Sequence, residues 1–260
     1  LKNKNGKDWM AYKLNLFRLT ADDWEAENYD KVDGFDEGPD NPGGYNAVNV
    51  YGDEFNRQAS LVGIGRYYRR GYREIDLVDY DSENYKASGA LHVRLNPDKE
   101  HLSPELILCS GFGGGTTVYQ GDNRFSLRNI RFFQHRLELK KKDHYFLRTY
   151  MTHEDAGDSY DPFFTALKLQ EYSKNSTDWN TAYLNSWSLN AVPALQSDEN
   201  FPRRSDFPGD VEGYNAAIDL FLADKTDSLF AWHADAQAFA NSESPFILGT
   251  SDFLEPGTQE

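Results

Sequence analysis

Apolar and polar residues alternate with period two in five stretches of this chain, a pattern that predicts β-strands with one apolar and one polar face. The clearest covers residues 84–95, where Tyr85, Ala87, Gly89, Leu91, Val93 and Leu95 alternate with Asn84, Lys86, Ser88, Ala90, His92 and Arg94. Met10, Tyr12, Leu14 and Leu16 repeat the pattern, as do Leu106, Leu108, Ser110 and Phe112, then Phe133, His135, Leu137 and Leu139, then Tyr145, Leu147, Thr149 and Met151. The five strands are expected near residues 8–20, 84–96, 104–118, 128–140 and 144–155. A tilted strand needs about 9–11 residues to cross a bilayer core, and the stretch 84–95 is long enough.

A soluble sheet with one wet face would alternate in the same way, so the connectors decide. Short polar turns are predicted at residues 3–7, 96–103 and 141–143, and an intermediate one near 120–126. Very long connectors, 21–82 and 156–260, follow the first and last strands. Short turns on one side and long loops on the other are the asymmetry of bacterial outer-membrane barrels. Long structureless loops are uncommon in soluble sheets. The polar row, with Lys86, Arg94, Arg136, Glu138 and Arg148, is then expected to face an aqueous lumen and the apolar row lipid, with His135 and Ser110 as polar exceptions.

The first long connector is rich in Gly, Pro, Asn and Asp, notably over residues 36–44, which predicts an extended, turn-rich structure. The second contains helical spacing over 162–172 and 211–239, with Asp210 as an N-cap for the latter. These helices are expected to form an external cap. The expected fold class is therefore all-β, a membrane β-barrel portion of antiparallel up-and-down strands with long external loops containing some helix.

Charge sharpens the division. The chain carries a formal net charge of −15 over 260 residues. Residues 21–82 hold 15 acids and 6 bases, and residues 155–260 hold 18 acids and 5 bases, so the acidity belongs to the long connectors and the strand regions are basic. An acidic surface excludes nucleic acid as the default partner. Aromatic residues make up 15% of the chain, which suits β structure and ligand contact. The single cysteine, Cys109, cannot make an intramolecular disulfide. No apolar run is long enough for a helical membrane span, and no basic, apolar and small-residue leader opens the chain.

Five separated strings resemble the barrel of SusC-like TonB-dependent outer-membrane receptors: ADDWEAENYD at 21–30, VNVYGDE at 48–54, GYREIDLVDY at 71–80, TTVYQGDNRF at 116–125 and THEDAGDSYD at 152–161. The resemblance runs in consistent order through most of the chain. It implies an active importer in the outer membrane of a Gram-negative bacterium. Such a receptor binds a nutrient, an oligosaccharide first and a peptide or other compound second, on the external face, and is driven by the TonB complex acting on a plug. It also implies a SusD-like surface lipoprotein as partner. The chain resembles a section from the first half of the barrel, and the plug and remaining strands are expected to lie outside it.

Candidate ligand contacts are the acids and aromatics of the long connectors: Asp22, Asp23, Trp24, Tyr29 and Tyr45 in the first, Glu154, Asp155, Asp158, Tyr160 and Asp161 in the second. Aromatic faces stack on sugar rings and carboxylates accept from hydroxyls. Loop packing and solubility explain any one of these residues as well. Residues 155–161 offer oxygens for calcium, but turn formation accounts for them, and no metal or cofactor is expected. The glycine run 111–115 lacks the Lys-Ser/Thr pair of a phosphate loop and reads as a strand end or bend. His153, Glu154 and Asp155 are neighbours on one strand and cannot converge as a catalytic cluster. The motif at 175–177 matches a glycosylation acceptor only by its letters.

No enzymatic activity is expected. Two rivals remain: a soluble or surface all-β glycan-binding or adhesive module without transport, in which the apolar rows form a packed core, and a secreted hydrolase with paired carboxylates. Neither accounts for the alternation of short and long connectors.

Overall fold

A computed structural model describes residues 1–120, 124–243 and 249–256, with the backbone only of Glu100 and His101. In chain order the strands are β1 (Met10–Asp22), β2 (Val50–Tyr51), β3 (Asn56–Gln58), β4 (Arg66–Tyr68), β5 (Tyr72–Arg73), β6 (Asp81–Arg94), β7 (Glu105–Gln120), β8 (Arg124–Lys141) and β9 (Tyr145–Asp155). The helices are α1 (Glu74–Leu77), α2 (Pro162–Ser173), α3 (Ser176–Leu189), α4 (Ala191–Ser197), α5 (Val211–Ala223) and α6 (Thr226–Asn241). Strands account for 35% of the chain and helices for 30%, so helix is a larger share than an all-β expectation allows. The chain divides into two compact units, residues 1–25 with 78–161 and residues 26–77 with 162–260.

The first unit is an open antiparallel meander in the order β1-β6-β7-β8-β9, and it does not close into a barrel. Its strands match the five predicted from periodicity. Register carries the apolar row straight across the sheet: Tyr12 pairs with Leu91, Leu91 with Leu108, Leu108 with Leu137 and Leu137 with Thr149. The polar row runs through Lys13, Ala90, Cys109, Arg136 and Tyr150. Lys86, Arg94, Arg136, Glu138 and Arg148 all fall on that second face. There Arg148 Nε donates to Glu138 Oε2 at 2.6 Å, and Glu105 receives His92 at 2.7 Å and Lys140 at 3.3 Å. On the apolar face the two polar exceptions partner each other, with Ser110 Oγ 2.9 Å from His135 Nδ1.

The strand ends sort by connector length. Asp22, Asp81, Gln120, Arg124 and Asp155 share one end of the sheet, where both long stretches of chain depart; the turns at the other end are short. The connector expected near 120–126 is narrower than predicted, because Gln120 already pairs with Arg124 and Tyr119 with Phe125. Residues 121–123 lie outside the described residues. The glycine run is not a strand end but the site of a register shift inside β7, between Gly115 and Thr117. At Gly115, φ is +154° and a Cβ would sit 2.1 Å from Glu83 O, so only glycine lets β7 approach β6 there.

In the second unit, the two long connectors do not remain independent loops. Ile64 and Tyr67 from one pack with Trp179, Tyr183, Trp187, Leu229 and Ala236 from the other in a single buried cluster. The cause is aromatic: a chain that must hide several large rings has to fold them against something. Trp179, Ala182, Tyr183, Ser186 and Trp187 form the buried stripe of α3, at the three- and four-residue spacing of a helix face. Asn175 caps α3 by accepting from the Thr177 and Asp178 amides, which gives the supposed glycosylation motif a structural role. Asp210 caps α5 through the Gly213 amide, as expected, but the predicted 211–239 helix is two helices, broken at Asp224 and Lys225. Helices α3 and α4 were not foreseen.

Candidate functional site

The expected ligand contacts are distributed over both units. Asp22, Asp23, Trp24, Glu154, Asp155, Asp158, Tyr160 and Asp161 belong to the first; Tyr29 and Tyr45 belong to the second. Asp23 is committed to the fold. Its Oδ2 accepts from Ser82 Oγ at 2.6 Å, Val118 N at 3.0 Å and Thr117 Oγ1 at 3.2 Å, tying β1 to the ends of β6 and β7. Burial alone would raise its pKa, but these donors and the Arg124 charge hold it below the ordinary value. Trp24 is exposed, with the Arg124 guanidinium 5.7 Å from its ring centroid. Asp22 pairs with Asp81 across the sheet.

Around residue 155 the carboxylates make turns, as the sequence suggests. Asp155 Oδ1 accepts from the Gly157 amide at 3.0 Å, Asp158 Oδ2 accepts from Asn129 Nδ2 at 2.9 Å, and the Asp158 amide donates to Arg128 O at 2.9 Å. Tyr160 forms an isolated bridge with Ser126, half-buried Asp161 follows it, and Glu154 stays exposed at the end of β9 opposite Phe132. Among the described residues, no three or more His, Cys, Asp or Glu are gathered as a metal site.

A different site lies wholly within the second unit: a cleft of about 730 Å³ whose lining includes Tyr29, Tyr45, Asp53, Arg69, Tyr72 and Gln237. Its wall is the segment from β4 to β5, paired to β2 through Val50–Arg73 and Tyr51–Tyr72. Two glutamines hold that wall in place. Gln170 Nε2 donates to Gly52 O and Arg70 O, each at 2.8 Å, while Gln237 accepts from the Arg70 amide at 3.2 Å and donates to Tyr68 O at 3.0 Å. Gly71 is required by close approach, since a Cβ there would lie 2.7 Å from both Tyr51 O and Val50 Cγ1.

The buried polar groups of the cleft are only half used. Asp53 is 4% exposed, Arg69 2% and Tyr72 3%. Asp53 Oδ2 accepts from the Ala47 amide at 2.9 Å, but its Oδ1 has no partner among the described residues. Arg69 donates to Lys174 O at 2.7 Å, Gln170 O at 3.1 Å and Ser176 Oγ at 3.3 Å, yet its Nε is unpartnered in the same sense. So are the hydroxyls of Tyr29 and Tyr72. Each such group costs the fold about 1–3 kcal/mol, and these four belong to residues that line one cleft.

Burial pushes the Asp53 carboxyl up to about 7, against the pull of the Ala47 amide and helped by the neighbouring Glu54. Burial also lowers Arg69 to about 10 and raises Tyr72 to about 12. Perturbed groups gathered in a cleft make it a candidate site. The mouth, by contrast, is internally neutralised. Arg73 makes two 2.8 Å hydrogen bonds to Asp76, and Arg70 reaches Glu255 at 3.6 Å and lies over Phe253, which stacks on Tyr72 at 4.5 Å.

Of this cleft, sequence reasoning found only Tyr29 and Tyr45. Tyr45 donates its hydroxyl to Tyr29 O at 2.8 Å. Asp53, Arg69 and Tyr72 were missed; the available signal was Gly52 and Gly71 flanking charged and aromatic residues, a mark of tightly approached backbone. The chain matches no family model, no curated protein and no solved structure.

Proposed function

We propose that this chain is a section of a TonB-dependent outer-membrane importer of the SusC-like kind, its five-strand meander crossing the bilayer and its second unit belonging to the external, nutrient-binding side. The observation that carries this is the exposed apolar row. Leu16 is 75% exposed, Leu147 70% and Leu137 43%, positions that a soluble sheet would bury as a core. The rival soluble module needs that core.

Three further features agree. The described strands of the meander have 11 to 18 residues, enough to cross. The apolar face ends, on the side of the long connectors, in an aromatic row: Tyr85 is 5.6 Å from Phe112 and Phe112 4.8 Å from Phe133, the kind of girdle that marks a membrane interface. Finally, β1 and β9 are long edge strands, an aggregation hazard in a free sheet and the natural state of strands that pair with further strands in a barrel.

Transport needs a closed barrel and a plug, which these five strands do not supply. The TonB complex and a SusD-like lipoprotein enter as partners through the sequence resemblance, with an oligosaccharide as the leading nutrient. Sedimentation velocity tests the membrane assignment: the purified protein should be monodisperse only with detergent above its micelle concentration. A stable monomer in plain buffer would overturn it.

A further inference from the structure

We propose that the short-turn rim of the meander holds the headgroup of an anionic phospholipid, with Lys141 and Lys142 as its cations. The apolar row shows where the rim lies. Alternate residues share a face, so Leu137, Leu139 and Lys141 point one way from β8, and Tyr145 and Leu147 continue that face on β9. At the short-turn end the face therefore stops at one cross-strand pair, Lys141 opposite Tyr145, with exposed Lys142 next in the turn. A lysine whose stem lies along apolar surface and an amphipathic ring are the residues favoured at the headgroup level of a bilayer.

The height of the face agrees. Lys141 lies eight residues beyond Phe133, which belongs to the aromatic row at the other end of the same face. Eight residues of strand span roughly 26 Å, or about 20 Å of height at a tilt near 40°, against an apolar band about 25 Å tall. The lysine stem reaches across the difference.

Charge names the lipid. Lys140, on the opposite face, is paired with Glu105 at 3.3 Å, and the same carboxylate takes His92 at 2.7 Å. Lys141 and Lys142 have no carboxylate partner among the described residues, and Asp143 is the one acid of the turn at 141–144. A zwitterionic phospholipid brings its own ammonium to its phosphate, whereas phosphatidylglycerol leaves that phosphate to the two lysines. Short turns face the periplasm in outer-membrane barrels, so the leaflet at this rim is phospholipid. The whole chain carries −15 and repels anionic lipid, so enrichment has to be local to these cations.

This inference rests on the membrane assignment, and the two fail differently. The test places a bimane fluorophore on His144→Cys in the full chain with Cys109→Ser, reconstituted in phosphatidylcholine bilayers at low salt. A small fraction of the lipid is either phosphatidylglycerol or phosphatidylcholine carrying a quenching nitroxide high on the acyl chain. The labelled phosphatidylglycerol should quench as though its local concentration were at least about threefold that of the labelled phosphatidylcholine. Lys141→Gln with Lys142→Gln should bring the two to parity with the strand signal intact, and Lys86→Gln on the other face should leave the preference unchanged. Equal quenching by both lipids in the parent, a preference that survives the double substitution, or the same loss in Lys86→Gln would overturn the site alone. Quenching by neither lipid would overturn the membrane assignment and the site with it.

Discussion

Tyr67 and Tyr183 lie face to face, ring centroids 4.5 Å apart and planes within 5° of parallel. One comes from the connector after β1 and the other from α3, so their stack makes two distant stretches of chain a single folding unit. The Tyr183 hydroxyl is also 2.6 Å from His233 Nδ1. Tyr183→Ala removes the stack, the hydrogen bond and a fully buried ring. It should destabilise the second unit by about 3–5 kcal/mol. Calorimetry should show the loss in one transition, with the β1-β6-β7-β8-β9 meander retaining its strand signal by infrared spectroscopy.

Asp53 and His233 set opposite pH dependences in that same unit. Folded Asp53 holds its proton to about pH 7, against 3.8 ordinarily, so its contribution to stability declines as pH rises between those values. Folded His233 is held neutral by burial down to about pH 4, against 6.5 ordinarily, so its contribution is lost as pH falls through that range. The two largely cancel between pH 4 and 6.5. Asp53→Asn should therefore raise stability above pH 7 by up to about 4 kcal/mol and expose a stability that climbs steadily from pH 4 to 6.5. Chemical denaturation across that range checks both slopes.

Asp23 should act as a strand-end clasp. Asp23→Ala leaves the Val118 amide without its 3.0 Å acceptor and frees Ser82 and Thr117. Loss of charge-assisted hydrogen bonds costs about 1.5–3 kcal/mol each at most, so local opening should rise by at least about tenfold. Hydrogen exchange at Val118 should accelerate accordingly, while the Leu108 and Leu137 amides in mid-sheet stay protected.

Gly71→Ala places a methyl group 2.7 Å from Tyr51 O and Val50 Cγ1. The pairing of β2 with β5 has to spread, at about 1–3 kcal/mol. Because that pairing sits in the second unit, its melting temperature should fall in calorimetry while the meander keeps its strand signal by infrared spectroscopy.

The sheet was legible because a period of two is a local property: residues 84–95 declare their two faces without reference to any other strand, and register then puts Lys86, Arg136 and Arg148 on one face. Helix α5 was legible from the Asp210 cap. Helix α3 was not, because Trp179, Tyr183 and Trp187 sit among Ser, Asn and Thr, and the cap residue Asn175 imitates a glycosylation motif. The cleft was illegible for a stronger reason. Gln170 and Gln237 build its wall from residues 100 and more positions away, at Gly52, Tyr68 and Arg70, and nothing local in the chain encodes that meeting. Charge density pointed to Asp23 and Asp155, whose carboxylates the fold uses for itself.

Nitroxide accessibility in reconstituted bilayers tests the membrane assignment most directly. With Cys109 replaced by serine, single spin labels would be placed at Leu91, Leu108, Leu137 and Leu147 on one face and at Lys86, Ala90, Arg136 and Arg148 on the other. Labels in the first set should collide preferentially with oxygen and be shielded from a water-soluble nickel chelate, and labels in the second should do the reverse. Equal exposure of both sets to the chelate would contradict a lipid-facing apolar row.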